Sequence, residues 1–503
     1  MKKIAIIELD VRNCKLLVAE YSDSALVNVL DETNEPLKLW ADVEVDNVIK
    51  PARTIETITV LQNYKKHIDL IGVETVVAYC TTAFKEIKNH RSFIEEVNSE
   101  TTFKFEIMSD DKLASAVHLV SANTMEQIKA ITINVQDDYI NIIKYNRRNI
   151  LESYKFGFGA LSLAKHFENE TNLTASEKME KMVDFAKAQF SKCDIFNGED
   201  DEYKKIGMGN AFVNAGRLTR MGTKYSLNLD HNYELVIENF GKAYDVVKNL
   251  SVDKTKKIKG VSADRADTIA SGFAIIKALM DCYCINKFNI NELSVINGVL
   301  YGEMNAVFGD RPIGDILTQS LETCNVFYDK EQYNNKNIFI FANDLFEELR
   351  VLHRYTKPQQ RILKIASYLA TCGRRINSRC FEKNAFHIVL NSEIYGATHK
   401  EILLAGFVCA SQNLDEFDFS TWVRYNDIVT EEDLDVVKKM AVLVKLARFI
   451  DKSKTADHIV CDVLGDKCIL NIVPKANCHC ILDDVRKAGA DFKRAFDKYL
   501  QVL

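Results

Sequence analysis

Two stretches of this chain share one pattern of apolar and polar positions. Ile4–Tyr21 (IAIIELDVRNCKLLVAEY) and Ala130–Asn146 (AITINVQDDYINIIKYN) each run apolar and β-branched, break at a short polar stretch, and run apolar again. Each predicts a β-hairpin, and the repeat predicts a duplicated α/β body whose halves each open on such a hairpin. Two such halves facing each other form a cleft, and in many proteins the two hairpin turns grip phosphate there.

The pattern between and after the hairpins fills in the halves. VETVVAYC (73–80) reads as a buried strand, followed by a helix through FKEIKNHRSFIEEVNS. FKFEIMS (103–109) reads as another strand. DDKLASAVHLVSANT reads as a helix whose first turn carries Asp110 and Asp111, where carboxylates suit the helix dipole. In the second half NILESYKFGFG is a third β segment, a helix starts near Ala160, and helix-forming material dominates to Cys284. ELSVING (292–298) reads as a short strand ending at a glycine. Strand–helix alternation given twice predicts two α/β layers rather than a bundle.

From about Met304 the spacing turns helical throughout, as in DLFEELRVLHRYTKPQQRILKIASYLATCG and TEEDLDVVKKMAVLVKLARFIDKS. The tail alternates in twos about Gly465-Asp466, predicting a small sheet, and ADFKRAFDKYL predicts a closing helix. The expected domains are 1–128, 129–304, a helical module 305–440 and a small α/β domain 441–503.

Composition narrows the class without naming it. At 503 residues the chain has room for three or four cores. With 47% hydrophobic and 27% charged residues it reads as globular, and a net charge of −6 argues against a general nucleic-acid binder. Thirteen scattered cysteines fit reduced thiols better than a disulfide framework, and five prolines suit a helix-rich chain. Glu8 and Asp10 cut the first apolar run too early for a signal peptide, and no stretch of about 18 apolar residues occurs. A cytoplasmic protein with no membrane span is therefore expected.

The order of motifs resembles the exopolyphosphatase / guanosine pentaphosphate phosphohydrolase (Ppx/GppA) family, in the superfamily of actin, sugar kinases and heat-shock chaperones. The family's D-[IL]-G-S-N-S loop falls on Glu8–Asn13, its A-T-S-A-L-R-E-A element on Cys80–Ile87, and its S-G-x-E-E-A element on Ser109–Ala114. The second loop, D-I-G-G-G-S-T-E, falls on Asn134–Asn141. GVSADRADTIASG (260–272) is similar to G-x-x-x-x-R-A-D-x-I-x-x-G, NSEIYGATHKE (391–401) to N-S-D-L-x-G-F-S-H-R-E, and ARFIDKS (447–453) to A-D-x-L-D-R-S. The resemblance implies two ribonuclease-H-like (actin-like ATPase) domains with a cleft, then an HD-like helical module. The HD ligand stretches correspond to Tyr368–Gly373 and Phe381–Ala385, which carry no ligand-type residues in those positions. It also implies a homodimer, and phosphate, polyphosphate or a guanine nucleotide as ligand.

The implied chemistry is release of a terminal phosphate. It needs glycines for close backbone approach, carboxylates for Mg²⁺ and a carboxylate base for water. Here the base position is Leu113, and the loop carboxylates become Asn134 and Asn141. Loop glycines become Asp10, Asp137 and Asp138. A carboxylate about 4 Å from a phosphate is repelled by roughly 4 kcal/mol at an effective dielectric near 20, about three orders of magnitude in affinity. The expectation is a family homologue with weak or lost hydrolysis that binds or regulates. The alternative is an active Mg²⁺-dependent hydrolase using Glu8, Asp111 and Asp137, since clustered acids suit a hard cation; a further alternative is a ligand-free scaffold. Candidate catalytic residues are thus Asp111 and Glu8, and candidate phosphate-binding residues are Arg12, Thr81, Thr82, Lys85, Asn134, Asp137 and Asn141. Arg12 is also placed to pair with Asp10, Asp137 or Asp138 as a structural salt bridge.

Other constellations point to packing. Cys461 and Cys468 should share one face of the tail hairpin, and Cys478 and Cys480 another, but C-x₆-C and C-x-C are not zinc-knuckle spacings. His387 and His399 have no partners at metal spacing, and Arg265 and Asp267 read as residues that hold helix-to-sheet geometry, with an adenosine-side or phosphate-side contact as the alternative.

Overall fold

A computed structural model describes residues 2–503 apart from 23–26, 148, 171, 197–201, 259–260, 262, 306–311, 329–334, 417, 453, 455 and 474–478. It divides into two units. The first holds residues 1–225 and 229–316, the second 226–228 and 317–503.

The first unit contains both hairpins. β1 (Lys2–Leu9) pairs antiparallel with β2 (Asn13–Tyr21), which pairs with β3 (Val27–Pro36). Helices α1 (Trp40–Asp46) and α2 (Pro51–Ile71) lead to β4 (Thr75–Cys80), parallel to β1. A 3₁₀ turn at Thr82–Glu86, α3 (His90–Glu100), β5 (Glu106–Ile107) and α4 (Asp110–Thr124) complete this half, with sheet order β3-β2-β1-β4-β5. The single long helix expected over 84–99 is split by the 3₁₀ turn, and the strand expected over 103–109 shrinks to two residues. In that segment Phe103 and Phe105 are spent on core packing, and Asn98 side-chain bonds serve the Phe105 backbone in place of a strand partner.

The second half repeats the scheme. β6 (Lys129–Val135) and β7 (Ile140–Asn146) form the hairpin, β8 (Asn149–Phe156) extends it, and α5 (Ala160–His166) and α6 (Ala175–Phe190) follow. β9 (Lys204–Met208) lies parallel to β6 as β4 does to β1. Then come α7 (Asn210–Thr223), β10 (Glu234–Val236), α8 (Ile237–Val247), α9 (Val252–Thr255), α10 (Ile269–Cys282), β11 (Lys287–Asn291) and α11 (Val295–Glu303). The sheet order is β10-β11-β9-β6-β7-β8.

Two sequence expectations are corrected here. β9 and β10 lie inside the stretch read as helical; they are short and Lys/Glu-flanked, so period two never becomes visible. ELSVING is a helix start, not a strand: Asn297 Oδ1 accepts from the Ser294 N–H at 3.0 Å, capping α11, and the strand is the KFNIN just before it. Gly298 is not a strand end. A Cβ there would lie 2.0 Å from the Ala116 carbonyl oxygen, so the glycine lets α11 pack directly on the backbone of α4.

The apolar runs of the hairpins are continuous because the sheets are covered on both faces. Ile4 and Ile6 face a cluster with Val117, Val120, Ile143 and Leu300, whereas Ala5, Ile7 and Leu9 face Leu61, Phe84 and Phe93. Both turns therefore follow strands buried on two faces.

The second unit is helical, with helices including Asn335–Glu348, Lys357–Tyr368, Phe381–Leu390, His399–Ala410 and Glu431–Asp451. The NSEIYGATHKE segment caps one of them: Thr398 Oγ1 accepts from the Glu401 N–H while Glu401 accepts from the Thr398 N–H. His387 is exposed and His399 buried within these helices. The tail forms β12 (His458–Leu464) and β13 (Lys467–Val473) about the predicted turn, with Gly465 at φ 58°. Cys461 and Cys468 do share a face: Cys468 is paired with Val463, two residues along from Cys461. Cys480 lies in a helix, His479–Lys487, and Cys478 is outside the described residues. The closing helix stops at Phe496, and Tyr499–Val502 instead forms β14, parallel to β13. No described helix is long and apolar enough to cross a membrane.

Candidate functional site

The hairpin register sets the innermost group. Glu8 stands directly opposite Lys15 across β1–β2, and the Lys15 ammonium lies 2.5 Å from Glu8 Oε1. Tyr79 on β4, beside Glu8 in the parallel register, donates its hydroxyl to Glu8 Oε2. Glu8 and Tyr79 are both buried. At the turn itself Asp10 Oδ1 accepts from the Val11 N–H at 2.8 Å and from the Thr81 hydroxyl at 3.2 Å.

The two turns are then tied together. Arg12 Nε lies 3.1 Å from Asp137 Oδ2 in the second turn, and its Nη2 donates to Asp267 Oδ2 at 2.7 Å. Arg265 Nη1 donates to the same Asp137 oxygen at 2.7 Å. Arg12, Asp137 and Arg265 are all buried. The Asp137 carbonyl accepts from the Leu161 and Ser162 N–H groups at the start of α5. Gly159 makes this contact possible, since a Cβ there would sit 2.3 Å from the Gln136 carbonyl oxygen. The ion pair Arg12–Asp137 matches the structural salt bridge expected from sequence, and Arg265 and Asp267 belong to it rather than to helix-to-sheet geometry alone.

Little room is left inside. The cavity bounded by Glu8, Asp10, Lys15, Thr81, Asp137 and Ser294 measures about 10 Å³, the size of one water. Burial, then repulsion from Asp137 and Glu8, raises Asp10 to about 6 against the pull of Lys15 and Arg265. Burial, then Asp10 and Asp137, raises Asp138 to about 7. Burial alone would lower Lys15, but Glu8 and Asp10 outweigh it and the net shift is upward. Burial and then Glu8 raise the Tyr79 and Tyr139 phenols.

Beyond Asp138 and Tyr139, which border both spaces, lies a chamber of about 560 Å³. Val11, Trp40, Val43, Ile87 and Leu161 give it an apolar wall; Lys85, Lys155 and Lys165 give it charge; and Thr82 and Ser162 give it hydroxyls. The lysines are partly anchored. Lys155 donates to Asp110 at 2.8 Å and lies over the Tyr139 ring, Lys85 is 3.7 Å from Asp110, and Lys165 lies over Trp40 at 4.8 Å. The Lys155 hydrogen bond and neighbouring charges hold the exposed Asp110 below its ordinary range.

The sequence-derived candidates are thus distributed unequally. Glu8, Thr81 and Asp137 line the inner space, Arg12 is ion-paired to Asp137 beside it, and Thr82 and Lys85 line the chamber. Asp111 is exposed in the first turn of α4 and lines neither space. Leu113, the base position, is 1% exposed in the apolar cluster. Asn134 and Asn141 face each other across β6–β7, buried; Asn134 Oδ1 accepts from Gln136 at 2.6 Å, and the Asn141 amide donates weakly to the Tyr154 carbonyl at 3.4 Å. Lys15, Tyr79, Trp40, Lys155 and Lys165 were not anticipated. Only Lys15 left a signal, because counting back from the hairpin turn puts it opposite Glu8.

Two α/β halves, each with a hairpin whose first strand pairs parallel to the strand that follows, and with both turns at one cleft, define the actin-like ATPase fold. Within that fold the chain belongs to the Ppx/GppA phosphatase family, whose model matches residues 17–307, more than half of its length. The crystal structure of the Aquifex aeolicus Ppx/GppA family member superposes with a TM-score of 0.53 at 20% identity, covering 61% of this chain and 98% of that one. An exopolyphosphatase from Cytophaga hutchinsonii gives a TM-score of 0.54 at 16% identity, covering 61% and 98%. In sequence, a bifunctional 3-dehydroquinate synthase/phosphatase of Fusobacterium nucleatum is 22% identical over 59% of this chain and 46% of its own length. A putative exopolyphosphatase of Haemophilus influenzae is 18% identical over 60% and 91%. This chain therefore spans about half the length of the first of these two relatives.

Proposed function

We propose that this chain is a Ppx/GppA-family homologue in which phosphoanhydride hydrolysis is weak or lost, and that it acts by binding or regulation. One observation carries the reading: Arg12 of the first turn is ion-paired to Asp137 of the second, so protein charge fills the gap where two such turns would hold a terminal phosphate. The hydrocarbon at Leu113 supports it, because a buried leucine takes no proton from water. The chamber supports retained binding. Its volume lies within the range of small-molecule sites, and its three lysines, two of them over aromatic rings, suit a phosphate-bearing ligand such as a guanine nucleotide. A homodimer is part of the same proposal.

The names of the relatives keep the hydrolase as the competing reading, with Glu8, Asp111 and Asp137 working on Mg²⁺. Phosphate release from long-chain polyphosphate and from pppGpp, with Mg²⁺ or Mn²⁺, separates the two. The expected result is at most slow release above a protein-free control. Sustained turnover that Asp111→Ala abolishes would overturn the proposal.

A further inference from the structure

The family's chemistry implies a divalent cation in this cleft, and the residues present do not fit one. Among the described residues no group of three or more His, Cys, Asp or Glu side chains is arranged to hold a metal ion. The reason lies in what each carboxylate already holds. One Glu8 oxygen is taken by the Lys15 ammonium at 2.5 Å and the other by the Tyr79 hydroxyl. One Asp137 oxygen is shared between the Arg12 and Arg265 guanidinium groups at 3.1 and 2.7 Å. One Asp10 oxygen is occupied by a backbone N–H and a hydroxyl. The position matching the second loop's carboxylate is Asn134, whose oxygen is bound by Gln136.

We infer that the cleft carries its own cations in place of the metal: Lys15 on Glu8, and Arg12 with Arg265 on Asp137. Three fixed cations (Lys15, Arg12 and Arg265) stand among five carboxylates (Glu8, Asp10, Asp137, Asp138 and Asp267), seated directly on the oxygens of Glu8, Asp137 and Asp267 that a divalent ion would need. Lys15 is the decisive member. Its place opposite Glu8 is fixed by the hairpin register, and its ammonium lines the residual one-water cavity together with Asp10, Asp137 and Asp138. A cavity of about 10 Å³ has no room for a hexahydrated divalent ion while that side chain is present. The consequence for function is specific: an anion taken up by the neighbouring chamber receives no divalent cation from the cleft.

This inference rests on reading the cleft as the family's phosphate site, and its test is separable from the test of lost hydrolysis. Free Mn²⁺ is measured by electron paramagnetic resonance during titration of the full chain, wild type, Glu8→Gln and Lys15→Met, with Lys15→Met/Glu8→Gln as the variant that removes both buried charges. Wild type is expected to bind no Mn²⁺ at micromolar levels. Lys15→Met is expected to bind at least tenfold more tightly than wild type, and the double variant to lose that gain. Micromolar Mn²⁺ binding by wild type that Glu8→Gln removes would overturn the inference, as would a folded Lys15→Met that binds no better than wild type. If Lys15→Met does not fold, the wild-type arm alone decides. Mn²⁺ binding without turnover defeats this inference only, EDTA-resistant turnover defeats only the lost-hydrolysis reading, and metal-dependent turnover defeats both.

Discussion

The inner cleft and the outer chamber share a wall at Asp138 and Tyr139 yet have opposite characters. The inner space holds about 10 Å³, framed by paired, buried charges; the chamber holds about 560 Å³, lined by three lysines and by hydrocarbon. On the proposed reading the reacting end of a phosphoanhydride would fall in the first and the body of a ligand in the second, so hydrolysis can be lost while binding is kept.

The largest expected effect comes from breaking the inner cleft. Asp137→Ala leaves Arg12 and Arg265 buried without their shared carboxylate, and should cost about 3–5 kcal/mol in urea denaturation. A loss below about 1 kcal/mol would mean that the turns are not held by this pair.

A smaller effect, with a pH signature, comes from the wall. Asp10 and Asp138 have folded pKa values of about 6 and 7, above the ordinary 3.8, so the folded chain binds more protons than the unfolded one between those values. Stability from these groups therefore rises as pH falls through 7 and 6, and is lost as pH rises. Asp138→Asn should stabilise by roughly 1–3 kcal/mol at pH 8, with the gain shrinking toward pH 5. An equal effect at both pH values would contradict the shift.

The smallest expected stability changes belong to the chamber. Lys85→Ala should lie within about 0.5 kcal/mol of wild type by thermal melt, because its ion pair to Asp110 is exposed. Trp40→Ala should weaken guanine-nucleotide binding by about tenfold or more in calorimetry, while lowering stability far less than Asp137→Ala does. Unchanged affinity would place the ligand elsewhere.

The sequence made the hairpins, α4 and the helical second unit legible because their period and capping residues agree: Ser109 caps α4 just before Asp110, and the apolar runs end at the turns. Strands β9 and β10 were hidden by length, and α11 by reading Ser294 as part of a strand. At the site, Arg12 and Asp137 were visible as charges in loop positions. The chamber was not, since Trp40, Lys85, Lys155 and Lys165 come together only through the pairing of distant halves. Asp111 looked catalytic from its neighbours, but the turn of α4 that buries Leu113 carries Asp111 to the surface.

A double-mutant cycle on Arg12→Met and Asp137→Asn reaches the central claim most directly, because it reads whether the two turns hold each other. The account predicts a coupling on the order of 1–3 kcal/mol from denaturation of the two single variants and the double variant. Additive losses, with no coupling between the two positions, would contradict it.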